Sequence, residues 1–247
     1  MALYRYVKST KNYPRLRGNI PILISFLSIT AGVSLLFWVG WPIVAFSVFT
    51  ESLFSSTVSP LSDSTSQSRP SLPAVVLAAD SPVSPVSVGL TNANAWFPTM
   101  PQKKIVTPVN TYAVSIPKLH IEKATVIIGG SDLSQSLIHY GGTGLPGDYG
   151  NAVIFGHSTL PQFFNPKNYT SIFSTLPTIK EGDDVFVDFD GVTYRYQVFK
   201  LTVLDPTDVA LLEQRFDDSY VTLVTCVPPG TYWKRLYVQA RLVRPTM

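Results

Sequence analysis

The sequence holds a single cysteine, Cys226, and three histidines, His120, His139 and His157. A thiolate attacks carbonyl carbon and leaves a thioester. It does so efficiently when a base takes the thiol proton and a fixed cation or hydrogen-bond donor meets the developing oxyanion. Imidazole suits the first task because it accepts the thiol proton and later returns it to an amine. His157 follows the apolar run Ala152-Val153-Ile154-Phe155 and Gly156, which sets it at a strand end. His139 precedes Tyr140-Gly141-Gly142 and reads as a structural imidazole, and His120 in Pro117-Lys118-Leu119-His120 reads as a surface residue between strands. Chain position therefore favours His157 as the partner of the thiol. The cation is Arg235, which follows Cys226 after a Pro- and Gly-containing loop. A guanidinium beside a thiol lowers its pKa and can stabilise an oxyanion. Composition alone would instead leave Arg235 exposed on a strand and Cys226 buried as a small hydrophobe.

These side chains need strands to hold them. Val221-Thr222-Leu223-Val224-Thr225-Cys226 alternates as a strand and ends at Val227-Pro228-Pro229-Gly230, where prolines remove N–H donors and glycine permits a turn. The thiol thus sits at the mouth of a strand. In the segment that follows, Leu236, Val238, Ala240 and Leu242 share one face and Arg235, Tyr237, Gln239 and Arg241 the other. If the two strands are neighbours, the cation stands beside the thiol. Other strands are expected at Tyr112–Ile116, Thr125–Ile128, Ala152–Phe155, Val185–Phe189 and Val192–Leu204, with Asp190-Gly191 as a tight hairpin because both positions tolerate positive φ. Short helical turns are expected at Asp132–Ile138, Tyr169–Leu176 and Asp208–Glu213. This texture predicts an all-β domain over 111–247, a closed or nearly closed barrel.

The remaining chain has a different character. From Ile20 to Thr50 there are 31 residues without Asp, Glu, Lys, Arg or His. About 20 helical residues cross a bilayer, and a removable signal has an apolar region of only about 7–15, so one anchoring span near Ile22–Phe46 is expected. Residues 1–19 carry a charge of +5, residues 51–110 are balanced and residues 111–247 carry −2. The basic tail predicts a cytoplasmic N-terminus and an outer C-terminal domain. No nucleic-acid partner is implied, because the folded part lacks a basic excess. Residues 51–110 are rich in Ser, Thr and Pro and read as an extracytoplasmic linker. No cofactor or metal set is read: Asp183-Asp184 and Asp188/Asp190 are assigned to turns and strand edges.

Several stretches, in order, resemble the sortases, the cysteine transpeptidases that fix proteins to cell surfaces. Thr222-Leu223-Val224-Thr225-Cys226 resembles the family's TLxTC nucleophile strand, with Arg235 matching the family's arginine. Gly150-Asn151-Ala152-Val153-Ile154-Phe155-Gly156-His157 resembles its GNxVIxGH segment. Ser115-Ile116-Pro117-Lys118-Leu119, Gly144-Leu145-Pro146-Gly147, Glu181-Gly182-Asp183 and Val203–Val209 are similar too, so the likeness spans about 112–244. It implies an eight-stranded β-barrel, here preceded by the one transmembrane helix expected from the apolar run. The implied reaction is cleavage of an LPxTG-like motif between Thr and Gly through a thioester on Cys226, with transfer to an amine. The implied site is Cys226, His157 and Arg235, with Thr225 binding substrate or packing the strand, and Val203–Tyr220 as the loop that selects the motif. The implied partners are surface proteins with a C-terminal sorting signal, an amine acceptor (a cell-wall precursor or a pilin lysine), and membrane lipid around the helix. Some pilin-building members carry an Asp-Pro-aromatic lid. Here the corresponding region offers Asn94-Ala95-Trp96-Phe97-Pro98, a lid without that motif or an apolar plug.

A papain-like peptidase places its cysteine before its histidine, the reverse of the order here. An L,D-transpeptidase needs a Ser-His-Gly-Cys context that is absent. The remaining alternative is a membrane-tethered, non-catalytic β-barrel adhesin or scaffold with a buried cysteine.

Overall fold

The computed structural model describes residues 20–46, 48, 91–97, 100–104 and 107–244. The chain divides after Trp41 into two units. Most of the expected linker, residues 51–90, and the basic tail lie outside the described residues.

Helix α1 runs Ile20–Ala45 and contains Pro42. Its large apolar side chains point outward, Leu27 and Leu36 each 72% exposed. A fully apolar surface all round a helix is stable only in an apolar medium. The stretch Ile22–Ala45, 24 residues, is long and apolar enough to cross a membrane.

The second unit is built on eight strands: β1 Thr111–Ile116, β2 Ile121–Ile128, β3 Leu137–His139, β4 Gly150–Phe155, β5 Asp184–Phe189, β6 Val192–Leu204, β7 Ser219–Val227 and β8 Lys234–Leu242. They close in the order β1-β2-β3-β4-β7-β8-β6-β5, the β1–β5 pair sealing the barrel. β2/β3 and β4/β7 are parallel pairs and the others antiparallel. Asp190 (φ 50°) and Gly191 (φ 77°) form the β5–β6 turn between paired Phe189 and Val192, as their tolerance of positive φ requires.

Alternation divides the apolar residues into two clusters. Val114, Ile116, Val126, Ile154, Val185, Val221, Leu223, Leu236 and Val238 meet in the lumen. On the outer face of β4, β7 and β8, a second cluster joins Val153, Phe155, Val224, Cys226 and Tyr237. It is roofed by Ala93, Trp96 and Phe97 from before the barrel and by Leu212 from the β6–β7 connection. The approach segment is tied down by Ala93 N donating to Ser131 O (2.8 Å), an Asn92–Asp132 bridge and Gln102 Nε2 donating to Gly130 O (2.9 Å). Residues 91–97, inside the expected linker, are therefore part of the folded unit.

One expectation is corrected. Asp132–Ile138 does not form a helical turn throughout, since Leu137–His139 is strand β3 between β2 and β4. Asp132 Oδ1 accepts from Ser134 N (2.9 Å) and Oγ (2.6 Å), a turn that imitates a helix start. Pairing with two strands then captures the next residues. His120 is exposed, as expected.

His139 is fully buried and satisfied on both ring nitrogens. Thr143 Oγ1 spends its proton on Tyr140 O (2.8 Å), so His139 Nε2–H donates to that hydroxyl oxygen (3.1 Å) and Nδ1 accepts from Tyr112 Oη (2.8 Å). Burial pushes the imidazole pKa down from 6.5 to about 4, partly opposed by Thr143, while the facing Tyr112 phenol is raised by burial. In the unfolded chain the ring protonates near 6.5, so unfolding takes up a proton between pH 6.5 and 4. Stability is therefore whole above that window and declines through it as pH falls, by about 3 kcal/mol. The urea midpoint of the wild type should fall between pH 7 and 4.5, and His139→Gln should flatten much of that fall. An equal fall in both would assign it to other groups.

Candidate active site

The β7/β8 register puts Cys226 directly opposite Arg235 and Val224 opposite Tyr237. β7 is buried along all nine of its residues, so the thiol is held on a strand packed on both faces. Arg235 Nη1 donates to Cys226 Sγ (3.2 Å) and to Tyr232 O (3.3 Å). Its guanidinium lies 4.6 Å from the Trp96 ring centre. Arg235 is only 5% exposed, contrary to its compositional reading as a surface residue. Trp96, far away in sequence, is what buries it.

His157 follows β4, whose Phe155 pairs with Val224. Continuing that parallel register by two residues brings the His157 backbone level with Cys226. Two bonds fix the junction: Gly156 N donates to Val224 O (3.0 Å), and Ser158 Oγ donates to Cys226 O (2.9 Å). A Cβ on Gly156 would collide with the Phe173 ring, so only glycine lets β4 pass this close to the turn beneath it. The half-buried imidazole donates from Nδ1 to Ser158 O (3.0 Å), and the Thr170 backbone also bonds the ring. Ser158 thus orients the histidine with its carbonyl and braces the cysteine backbone with its hydroxyl. This double role was not read from the sequence; the Ser158 position beside His157 was the available signal.

Thr225 is fully buried, and its hydroxyl donates to Gly156 O (2.9 Å). It therefore links the nucleophile strand to the histidine turn. The loop after Cys226 is closed by Thr231 N donating to Pro228 O (2.9 Å), with Gly230 (φ 84°) packed against Leu160 of the histidine loop.

Electrostatics in this covered state favour a neutral pair. Burial raises the Cys226 pKa above its ordinary 9.0, with Arg235 pulling the other way. Burial also lowers the His157 pKa below 6.5, opposed by backbone hydrogen bonds to Ser158 and Thr170. Removing the roof relieves the burial of the thiol and lets Arg235 act on it with less opposition. Trp96 packs edge-on against Phe155 (5.4 Å) and Phe97 lies against Tyr140 and Phe155 (6.2 and 5.8 Å). Trp96→Ala should therefore speed alkylation of Cys226 by a small neutral reagent at least tenfold at pH 7.5, with the folded-state circular dichroism retained. An unchanged rate would show that the indole does not control access to the sulfur.

Among the described residues no cluster of His, Cys, Asp or Glu could hold a metal. Asp183 caps Lys180 N (2.8 Å), Asp184 pairs with Arg195 (3.0 Å) and Asp188 accepts from Thr193 (2.6 Å), so the acids of this edge serve turns and strand pairs. The acid that sequence reasoning passed over is Asp218, buried at the opposite end of β7, where Arg241 (2.6 Å) and Arg244 (2.8 Å) bracket it.

No curated protein matches the chain. Among solved structures it is similar to a sortase D5 transpeptidase of Clostridium perfringens (23% identity, 57% of this chain and 83% of that one, TM-score 0.48). It is also similar to sortase C1 of Streptococcus agalactiae (26%, 55% and 68%, TM-score 0.48) and sortase C-1 of Actinomyces oris (29%, 54% and 73%, TM-score 0.48). The sortase domain family model matches residues 114–243, more than half of the chain and every strand from within β1 to the end of β8. The chain belongs to the sortase family.

Proposed function

We infer that this protein is a membrane-anchored transpeptidase that cleaves an LPxTG-like sorting motif between Thr and Gly and joins the acyl part to a primary amine. The observation that carries the reading is the 3.2 Å contact between Arg235 Nη1 and Cys226 Sγ at a strand end whose backbone is bonded to the His157 turn. In the reaction His157 Nε2 takes the thiol proton as sulfur attacks the Thr carbonyl carbon. The carbonyl oxygen gains negative charge and Arg235 meets it. As the peptide C–N bond breaks, His157 returns the proton to the departing Gly amine, leaving a thioester on Cys226. An incoming amine attacks that thioester, gives a proton to His157 and releases the sulfur, which takes the proton back. Thr225 serves the substrate indirectly, by holding the Gly156–His157 turn at the correct height. The β6–β7 connection, whose Leu212 roofs the groove, selects the motif.

On this reading α1 spans the membrane, the basic residues 1–19 stay in the cytoplasm, residues 51–90 act as a tether and the barrel works outside. Its partners are proteins ending in a sorting signal and an acceptor amine from a wall precursor or a pilin lysine. The test is a transfer assay: full-length protein in detergent, an LPxTG-type peptide and a glycine-based or lysine-based amine. New amide product linking Thr to the amine is expected. Failure of every peptide to be cut or transferred would leave the barrel a scaffold with a buried cysteine.

A further inference from the structure

Among the described residues, three buried polar atoms on the outer face of the β6–β8 pair have no hydrogen-bond partner: Arg235 Nε, Tyr237 Oη and Thr202 Oγ1. Their residues are 5%, 2% and 6% exposed. They are also neighbours by construction. Arg235 and Tyr237 lie two residues apart on β8, and Thr202 pairs across with Tyr237. Tyr237 shares the roofed apolar cluster with Cys226 and Trp96. Burial holds the Tyr237 phenol far above its ordinary pKa, so it is a neutral donor under all working conditions. Buried donors are almost always paired in folded proteins, so three orphans side by side on one face call for an explanation.

The position of that partner follows from strand geometry. A two-residue step along β8 is about 6.8 Å, the same as the repeat of an extended peptide laid beside it. Cys226 and Arg235 occupy the mouth, where a leaving amine departs and a new amine enters from solvent. Tyr237 lies inward of them, toward the middle of the sheet. An extended acyl donor with its reacting carbonyl at Cys226 and Arg235 therefore places its backbone two residues earlier level with Tyr237. Access requires displacement of the roof formed by Trp96, Phe97 and Leu212.

We propose that Tyr237 Oη, with Thr202 Oγ1 beside it, is a substrate-binding station that donates a hydrogen bond to the backbone carbonyl two residues before the acylated one. The proposal rests on the transpeptidase reading and assigns a second recognition point to the same groove. The test is Tyr237→Phe in the full-length protein, assayed with an LPxTG-type peptide, alkylation of Cys226 by iodoacetamide, and thermal unfolding. Loss of one hydrogen bond to substrate should cut kcat/KM about tenfold, mainly through KM. Alkylation should be unchanged, and Tm should be unchanged or higher, because the hydroxyl lost has no partner among the described residues. Unaltered kcat/KM in this variant would overturn the Tyr237 assignment alone. So would a lowered Tm or failure to fold, since the hydroxyl would then be structural. Absence of turnover by the wild type would remove the parent reading instead, and this one with it.

Discussion

Cys226→Ala is expected to abolish acyl transfer, by a factor on the order of 10⁴–10⁶ in rate, while the barrel stays folded. The sulfur is the only thiol in the chain, and no neighbouring group can take over covalent catalysis. Ser158 is the nearest hydroxyl by sequence to His157, but it is committed to Cys226 O. The structural cost of the change is small. Cys226 is flanked by the lumen residues Thr225 and Val227 on a strand paired on both sides, and losing one sulfur from the outer cluster costs about 1 kcal/mol. The measurement is peptide cleavage together with thermal unfolding. Residual turnover within a hundredfold of wild type would remove Cys226 from the mechanism, whatever the fold does.

Arg235→Lys is the second large effect, and it separates charge from shape. Arginine here does three things: it donates to Cys226 Sγ and to Tyr232 O from one nitrogen, and it sets its charge over the Trp96 ring. An ammonium retains the positive charge but cannot reproduce the fork. The thiol should therefore keep most of its reactivity, with iodoacetamide alkylation changing by no more than a few-fold. The oxyanion, which needs a donor at a fixed place, should lose more, and kcat/KM should fall about 10²–10³-fold. Equal losses in alkylation and turnover would mean that Arg235 acts only through the thiol pKa. Wild-type turnover would make it structural.

How much of this was legible before folding depended on range. The alternation in β7 and β8 was enough to place Arg235 and Tyr237 on one face and Leu236 and Val238 on the other, because strand period is local information. The adjacency of Cys226 and Arg235 was conditional on the two strands pairing, which they do. The Asp190-Gly191 hairpin was legible because glycine and aspartate advertise positive φ. β3 was not, since three residues carry no period and an Asx turn at Asp132 imitates a helix cap. The first half of β2 was missed as well: Lys123 adopts φ 46° and the exposed Glu122–Lys123 pair interrupts the apolar pattern. The burial of Arg235 was not legible from its own strand, although the Trp96-Phe97 segment was read as a lid or an apolar plug. That burial depends on Trp96, well over a hundred residues upstream, and no pattern within β8 encodes it.

The roof also bears on the thiol at rest, whose pKa burial holds above its ordinary value. A thiolate beneath Trp96 and Phe97 would be a charge stripped of water, so on the proposed mechanism its ionisation accompanies opening of the groove. Arg235 lowers the cost of the anion but does not overcome burial by itself.

The most direct measurement is the intact mass of the full-length protein after brief exposure to an LPxTG-type peptide with no amine present. The account predicts an added mass equal to the peptide through its threonine, located on Cys226, released by hydroxylamine and absent from Cys226→Ala. Peptide cleavage with no such adduct, or an adduct on any other residue, would contradict it.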